Sequence, residues 1–162
     1  MRSVWFAIVG LMLLGTGCNQ DKIARLEKEN KELAVKLESV AKAANLDMQA
    51  KCAQQARVEF EVWEKDPMAD FTNHYNAKVN KCFVEITNMG GSQKPYVPTI
   101  NKIVSDAFEG KVYGEYMWMN TKGKKYWEVA PYICKVTSLS GEETVCNSSE
   151  EFDALIKQLM EQ

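Results

Sequence analysis

Proline and glycine are scarce in this chain of 162 residues, at four and nine, so collagen-like repeats and low-complexity disorder are excluded. Histidine occurs once, as His74, and no Gly-x-Ser-x-Gly sequence is present, which leaves a serine or cysteine nucleophile with a single base to draw on. Met89-Gly90-Gly91-Ser92 lacks the Lys-Ser/Thr that completes a phosphate-binding loop. No Cys-x-x-Cys or Cys-His cluster occurs, so neither zinc nor dithiol redox chemistry has the spacing it needs, and no cofactor is expected. There is no excess of basic residues either: the net charge is −2, and nucleic acid, which selects a basic stripe, is not an expected partner. Long apolar runs are missing except over residues 4–14, too short for a bilayer that takes ~20 apolar residues. What remains is a composition of 46% hydrophobic and 26% charged residues, that of a folded globular protein.

The apolar run follows Arg2 and ends in the small residues Gly15, Thr16 and Gly17 before Cys18, a signal-peptide profile. Leu14-Gly15-Thr16-Gly17-Cys18 resembles the lipobox of bacterial lipoproteins, with Gly15 standing where Leu is common and Leu14 one place earlier. The resemblance covers residues 1–18, and the rest of the chain resembles no characterised family. It implies that residues 1–17 are a removable leader and that Cys18 becomes an acylated amino terminus held in a membrane. Each buried methylene contributes about 0.8 kcal/mol, so several chains anchor where one would not. The next residue, Asn19, is not the Asp that retains enteric lipoproteins in the inner membrane, and the outer membrane is the expected address.

Residues 18–44 form the expected stalk. From Asp21 to Ala44 there is no Gly or Pro, and strong helix formers dominate. Ile23, Leu26, Asn30, Leu33, Leu37, Val40 and Ala44 recur at alternating spacings of three and four, the a/d pattern of a coiled coil. Asn30 at an a position specifies register and strand number in a parallel homodimer through residues 21–44, at a cost in stability. The alternative is an amphipathic helix folded against its own domain. Met48, Cys52, Ala56, Phe60 and Trp63 continue an apolar face, so one helix is expected from about residue 21 to 65.

Residues 45–162 read as an α+β domain. Period-two runs at residues 82–87, 103–108, 112–119 and 132–137 predict strands. The intervening Asn88-Met89-Gly90-Gly91, Glu109-Gly110, Asn120-Thr121-Lys122-Gly123 and Ser138-Leu139-Ser140-Gly141 predict turns, hence an antiparallel meander. Ser148 with Glu151 three residues on, ahead of Phe152, Leu155, Ile156, Leu159 and Met160, predicts a capped amphipathic helix at the end. Lys and Arg number 13 here against 17 Asp and Glu, a net −4. Tyr113, Tyr116, Trp118, Tyr126 and Trp127 cluster, and core packing is the expected use, with a stacking surface for sugar or peptide as the alternative.

Apart from Cys18, the cysteines number four, an even count in an exported chain, and disulfides are expected. A hairpin about Ser140 would bring Cys134 opposite Cys146, leaving Cys52 to pair with Cys82 and staple the long helix to the first strong strand. His74, in Asn73-His74-Tyr75-Asn76, is expected to serve a turn rather than catalysis. A non-enzymatic binding or structural module in the envelope follows, with an unidentified envelope protein or glycan as partner. A cell-wall hydrolase would need convergent carboxylates in a cleft, and an inhibitor or chaperone-like binder an exposed aromatic anchor.

A peptide of residues 19–65 is expected to be helical and to associate reversibly, and Asn30→Leu to tighten that association while broadening the range of oligomers. Sedimentation equilibrium checks this; monomers at high concentration, unaffected by the substitution, would place the apolar stripe against the chain's own domain.

Overall fold

The computed structural model describes residues 17–61, 66–91 and 96–161. Residues 1–16 of the expected leader and Trp63 therefore lie outside the described residues. The chain divides into two units, Met1–Ala44 and Asn45–Gln162.

Helix α1 spans Gly17–Phe60, starting earlier and ending sooner than the apolar spacing predicts. In the first unit its heptad residues Ile23, Leu26, Leu33, Leu37 and Val40 are all exposed, as is Asn30. Arg25 and Glu29 pair one turn apart at 3.2 Å, an exposed contact worth about 0.3–0.5 kcal/mol.

The second unit is a meander in which six strands lie side by side in chain order, every pair antiparallel. They are β1 (Ala69–Asn76), β2 (Lys81–Gly90), β3 (Thr99–Asp106), β4 (Lys111–Met119), β5 (Ile133–Thr137) and β6 (Glu143–Val145). Helix α2 (Ser149–Met160) closes the chain. Ser148 caps it as expected, accepting from the Glu151 N–H at 3.1 Å, while the Glu151 carboxylate reaches the Asn147 N–H at 2.7 Å.

The pleat of β2 divides the hydrophobic core in two. Cys82, Val84 and Ile86 point to one face and meet Cys52, Ala56 and Phe60, the one-turn-apart residues at the end of α1. Phe83 points to the other, where Val104, Tyr116, Trp118 and Val136 pack beneath Phe152, Ile156 and Leu159 of α2. Both expected disulfides are present, Cys52–Cys82 with Cα atoms 5.2 Å apart and Cys134–Cys146 with 5.0 Å. The first ties α1 to the sheet, and the second closes the β5–β6 hairpin, whose Cys146 N–H donates to the Cys134 carbonyl at 2.9 Å.

One strand and the end of another escape the sequence pattern. The run Asn73-His74-Tyr75-Asn76, expected as a turn, is the second half of β1, with His74 opposite Phe83 and Asn73 opposite Val84. Pairing with a well-buried neighbour overrides the poor strand propensity of Asn. Likewise Asn88, Met89 and Gly90 continue β2, paired with Asn101, Ile100 and Thr99.

The β1–β2 and β3–β4 turns share one design. Asn76 and Asp106 each accept from the N–H two residues on, of Lys78 and Phe108, both at 3.1 Å. Four residues after each, Asn80 and Gly110 adopt positive φ of 52° and 69°, the left-handed conformation that lets the chain reverse. In β4 the register against β3 shifts between Val104 and Ser105, so that Gly114 faces Val104 and Val112 faces Ser105. Tyr113 is the extra residue of this bulge and is turned into the same core as Tyr116 and Trp118.

The bulge leaves Gly114 under α2. A Cβ there would lie 3.1 and 3.2 Å from two ring carbons of Phe152 and 3.3 Å from Val104 Cβ, closer than the core can absorb without displacing the ring. Gly114→Ala is therefore expected to cost about 1–3 kcal/mol, seen as a lower urea midpoint at unchanged slope. Wild-type stability in this variant would show that the helix yields freely at this point.

Candidate functional site

The five clustered aromatics separate into a buried group and an outward one. Tyr113, Tyr116 and Trp118 are core residues of β4. Tyr126 lies over that core, its ring 4.8 Å from Trp118, and its hydroxyl meets that of Tyr116 at 3.1 Å. Trp127 projects into solvent with 76% of its surface exposed, a correction to the expectation of core packing. The reason is the single turn of 3-10 helix, Tyr126–Glu128, in the β4–β5 connection, which sends adjacent side chains in different directions.

That connection is tied down at several points. The Trp118 indole N–H donates to the Val129 carbonyl at 3.1 Å, the Lys125 N–H to the Glu128 carboxylate at 3.0 Å, and the Tyr132 N–H to the Met117 carbonyl at 2.7 Å. Lys125 Nζ sits 5.2 Å from the Trp127 ring centroid. Between this segment and the start of α2 opens a cleft of about 500 Å³, with Tyr116, Tyr126 and Trp127 on one side and Asn147, Ser148, Ser149 and Glu150 on the other. Burial, and then the bond to Tyr126, hold the Tyr116 hydroxyl above the ordinary phenol range, so it stays protonated. The Glu150 carboxyl is held below its usual range by its own backbone N–H and the Ser148 hydroxyl, and stays ionised.

A second group, not foreseen in the sequence, lies under α2. Lys102 of β3 pairs with Asp153 of α2, and Glu85 of β2 stands on the same groove. Burial raises the Glu85 carboxyl above its ordinary 4.5, with Lys102 opposing and Asp153 adding to the effect. No local pattern announces this group, because its members come from three elements. A third, at the turns, is structural: Lys81 Nζ bonds the buried Asp106 and the exposed Glu109, each at 2.8 Å, and these bonds raise its pKa above the lysine norm. Its charges are satisfied by one another.

Of the residues singled out from sequence, the four disulfide cysteines are brought together in their pairs, which removes their sulfurs from metal binding. His74 stands half-buried in β1, and Asn30 lies in the other unit. Among the described residues no cluster of three or more His, Cys, Asp or Glu could hold a metal ion. Comparison with protein-family models, curated proteins and solved structures finds no match to this chain.

The sign of the Glu85 perturbation yields a pH dependence. A carboxyl raised in the fold favours its neutral form, so its contribution to stability is full below the unfolded pKa of 4.5 and is lost as pH rises through the folded value. Glu85→Gln is expected to raise the melting temperature near neutral pH, with the gain shrinking as pH falls toward 4.5. Thermal melts of both proteins across that range check it; a gain independent of pH would assign the effect to packing instead.

Proposed function

We propose that this chain is a bacterial envelope lipoprotein, anchored through acylated Cys18 in the outer membrane, whose distal domain is a non-enzymatic binding module. The observation that carries the reading is Trp127, an exposed indole held over the sheet by a segment bonded at several points. Burying such a ring against a partner gains apolar contact at little cost in side-chain order. The two disulfides support export, since they persist in oxidising compartments. Among the described residues no helix is long and apolar enough to cross a membrane, and the lipid on Cys18 is the anchor of this proposal. The exposed heptad residues of α1 suit a parallel homodimer, with Asn30 paired across its seam.

One observation favours a cell-wall hydrolase: Glu85 and Asp153 are two carboxylates on one groove, with Glu85 raised as a general acid would be. The ion pair between Asp153 and Lys102 counts against it, because it commits the second carboxylate to a structural partner.

Cys18→Ser is expected to leave an uncleaved, unlipidated precursor, because a hydroxyl cannot form the thioether. Mass spectrometry of the intact protein decides the point; a wild-type chain without acyl groups would end the lipoprotein reading. In a deletion strain, His74→Ala and Glu85→Gln are expected to restore the cellular role, whereas Cys52→Ser lowers abundance through a loss of about 2–5 kcal/mol. Loss of the role in either of the first two at unchanged abundance would overturn the non-enzymatic reading.

A further inference from the structure

We propose that the cleft between Trp127 and the start of α2 is a carbohydrate site that takes a neutral, N-acetylated glycan segment. The Trp127 indole stacks on one sugar ring, while Asn147, Ser149 and Glu150 bond its hydroxyl and acetamide groups. The proposal rests on the reading of the distal domain as a binding module and names its ligand class.

The shape of the partner follows from what the cleft offers. A sugar ring is amphipathic, with a flat face of C–H groups and an edge of hydroxyls, and Trp127, with Lys125 Nζ near its ring, still exposes most of a flat apolar surface beside a wall of polar side chains. The backbone that carries the ring is already held, because its neighbour Tyr126 is packed on Trp118 and Val129 accepts from the Trp118 indole. Little order is therefore lost on stacking. The volume of about 500 Å³ lies within the ~300–1,000 Å³ of small-ligand sites.

An extended peptide fits less well. Strand addition needs a free sheet edge, and β4, which supplies Tyr116 to the cleft, is paired with β3 on one side and β5 on the other. The polar groups available are side-chain amide, hydroxyl and carboxylate, which suit sugar hydroxyls better than a backbone ladder.

Charge narrows the class further. Glu128 and Glu150 on the cleft are offset by Lys125, whose Nζ lies 5.2 Å from the Trp127 ring centroid, so the site has no excess positive charge to draw in a phosphorylated or uronic glycan. An acetamide suits the site on both its ends. Its N–H can donate to the ionised Glu150 carboxylate, and its methyl group can rest on the apolar stretch at Val129 and Pro131.

The experiment uses the full acylated protein in a zwitterionic detergent without sugar headgroups, and a β-1,4-linked N-acetylglucosamine tetramer as probe. Saturation-transfer NMR and calorimetry are expected to show binding by the wild type, at least about tenfold weaker in Trp127→Ala and largely kept in Trp127→Phe. An α-linked glucose tetramer is expected to bind more weakly, for want of the acetamide. Absence of binding by the wild type, or equal affinity in Trp127→Ala, overturns the proposal. A photo-crosslinker placed at the exposed residue 124, which leaves Trp127 intact, separates this failure from that of the parent reading in living cells. A crosslinked envelope protein together with no binding of the tetramer makes the cleft a protein-docking site and leaves the binding module standing. If neither the tetramer nor any envelope component is captured, both readings fall.

Discussion

Strand β2 buries unlike partners on its two faces, and the arrangement of the α+β domain depends on this alternation. With a period of two, Cys82, Val84 and Ile86 are committed to α1 and Phe83 to the core under α2, so a slip of one residue would present each set to the wrong helix. The Cys52–Cys82 bridge fixes the register covalently on one side, closing a loop of 30 residues, which the chain-entropy view rates at ~3–4 kcal/mol. Ser105 adds a polar tie on that face, its hydroxyl bonded to the Glu59 carboxylate of α1. The other face has no covalent tie to α2. Its order comes from the fit of Phe152 over Gly114 and from the Lys102–Asp153 pair.

These dependencies explain which parts of the molecule could be read in advance. The long helix, the alternation in β2 and β4, the cap at Ser148 and both disulfides are carried by local spacing or by parity of cysteines. Strand β1 was hidden because Asn73, His74 and Asn76 are ordinary turn residues. Only their pairing to β2, seen from the structure, makes a strand of them. The shared turn design was nevertheless present in the sequence: Asn76-Ala77 followed by Asn80-Lys81, and Asp106-Ala107 followed by Gly110-Lys111, have the same spacing. Reading the first as the second would have given β1. The bulge at Tyr113 breaks the alternation of β4, and Gly114 beside it is its one mark in the sequence.

The candidate site was legible only as a cluster. Sequence proximity grouped Trp127 with Tyr113, Tyr116 and Trp118, and packing separates them, because a 3-10 turn does not hold two consecutive rings to one surface. The Glu85, Lys102 and Asp153 group was not legible at all. Its members lie on β2, β3 and α2, and the meander with α2 laid across it is what makes them neighbours.

Ordering the β4–β5 connection is itself informative. Residues 120–132 hold a polar run, Thr121-Lys122-Gly123-Lys124-Lys125, that buries little and would gain little by being fixed. Loops of about a dozen residues are uncommon in compact domains unless they carry function. Here the segment is nevertheless bonded to the sheet through Val129 and Tyr132 and packed through Tyr126. Two aromatic side chains, Trp118 and Tyr126, are spent on holding it, and the residue they position most directly is the exposed Trp127. A core needs no such display of an indole, since turning Trp127 inward would have buried more apolar area. On the proposed reading, anchors inside and an indole outside surrender loop entropy in the free protein, so that a partner would meet a surface already in place.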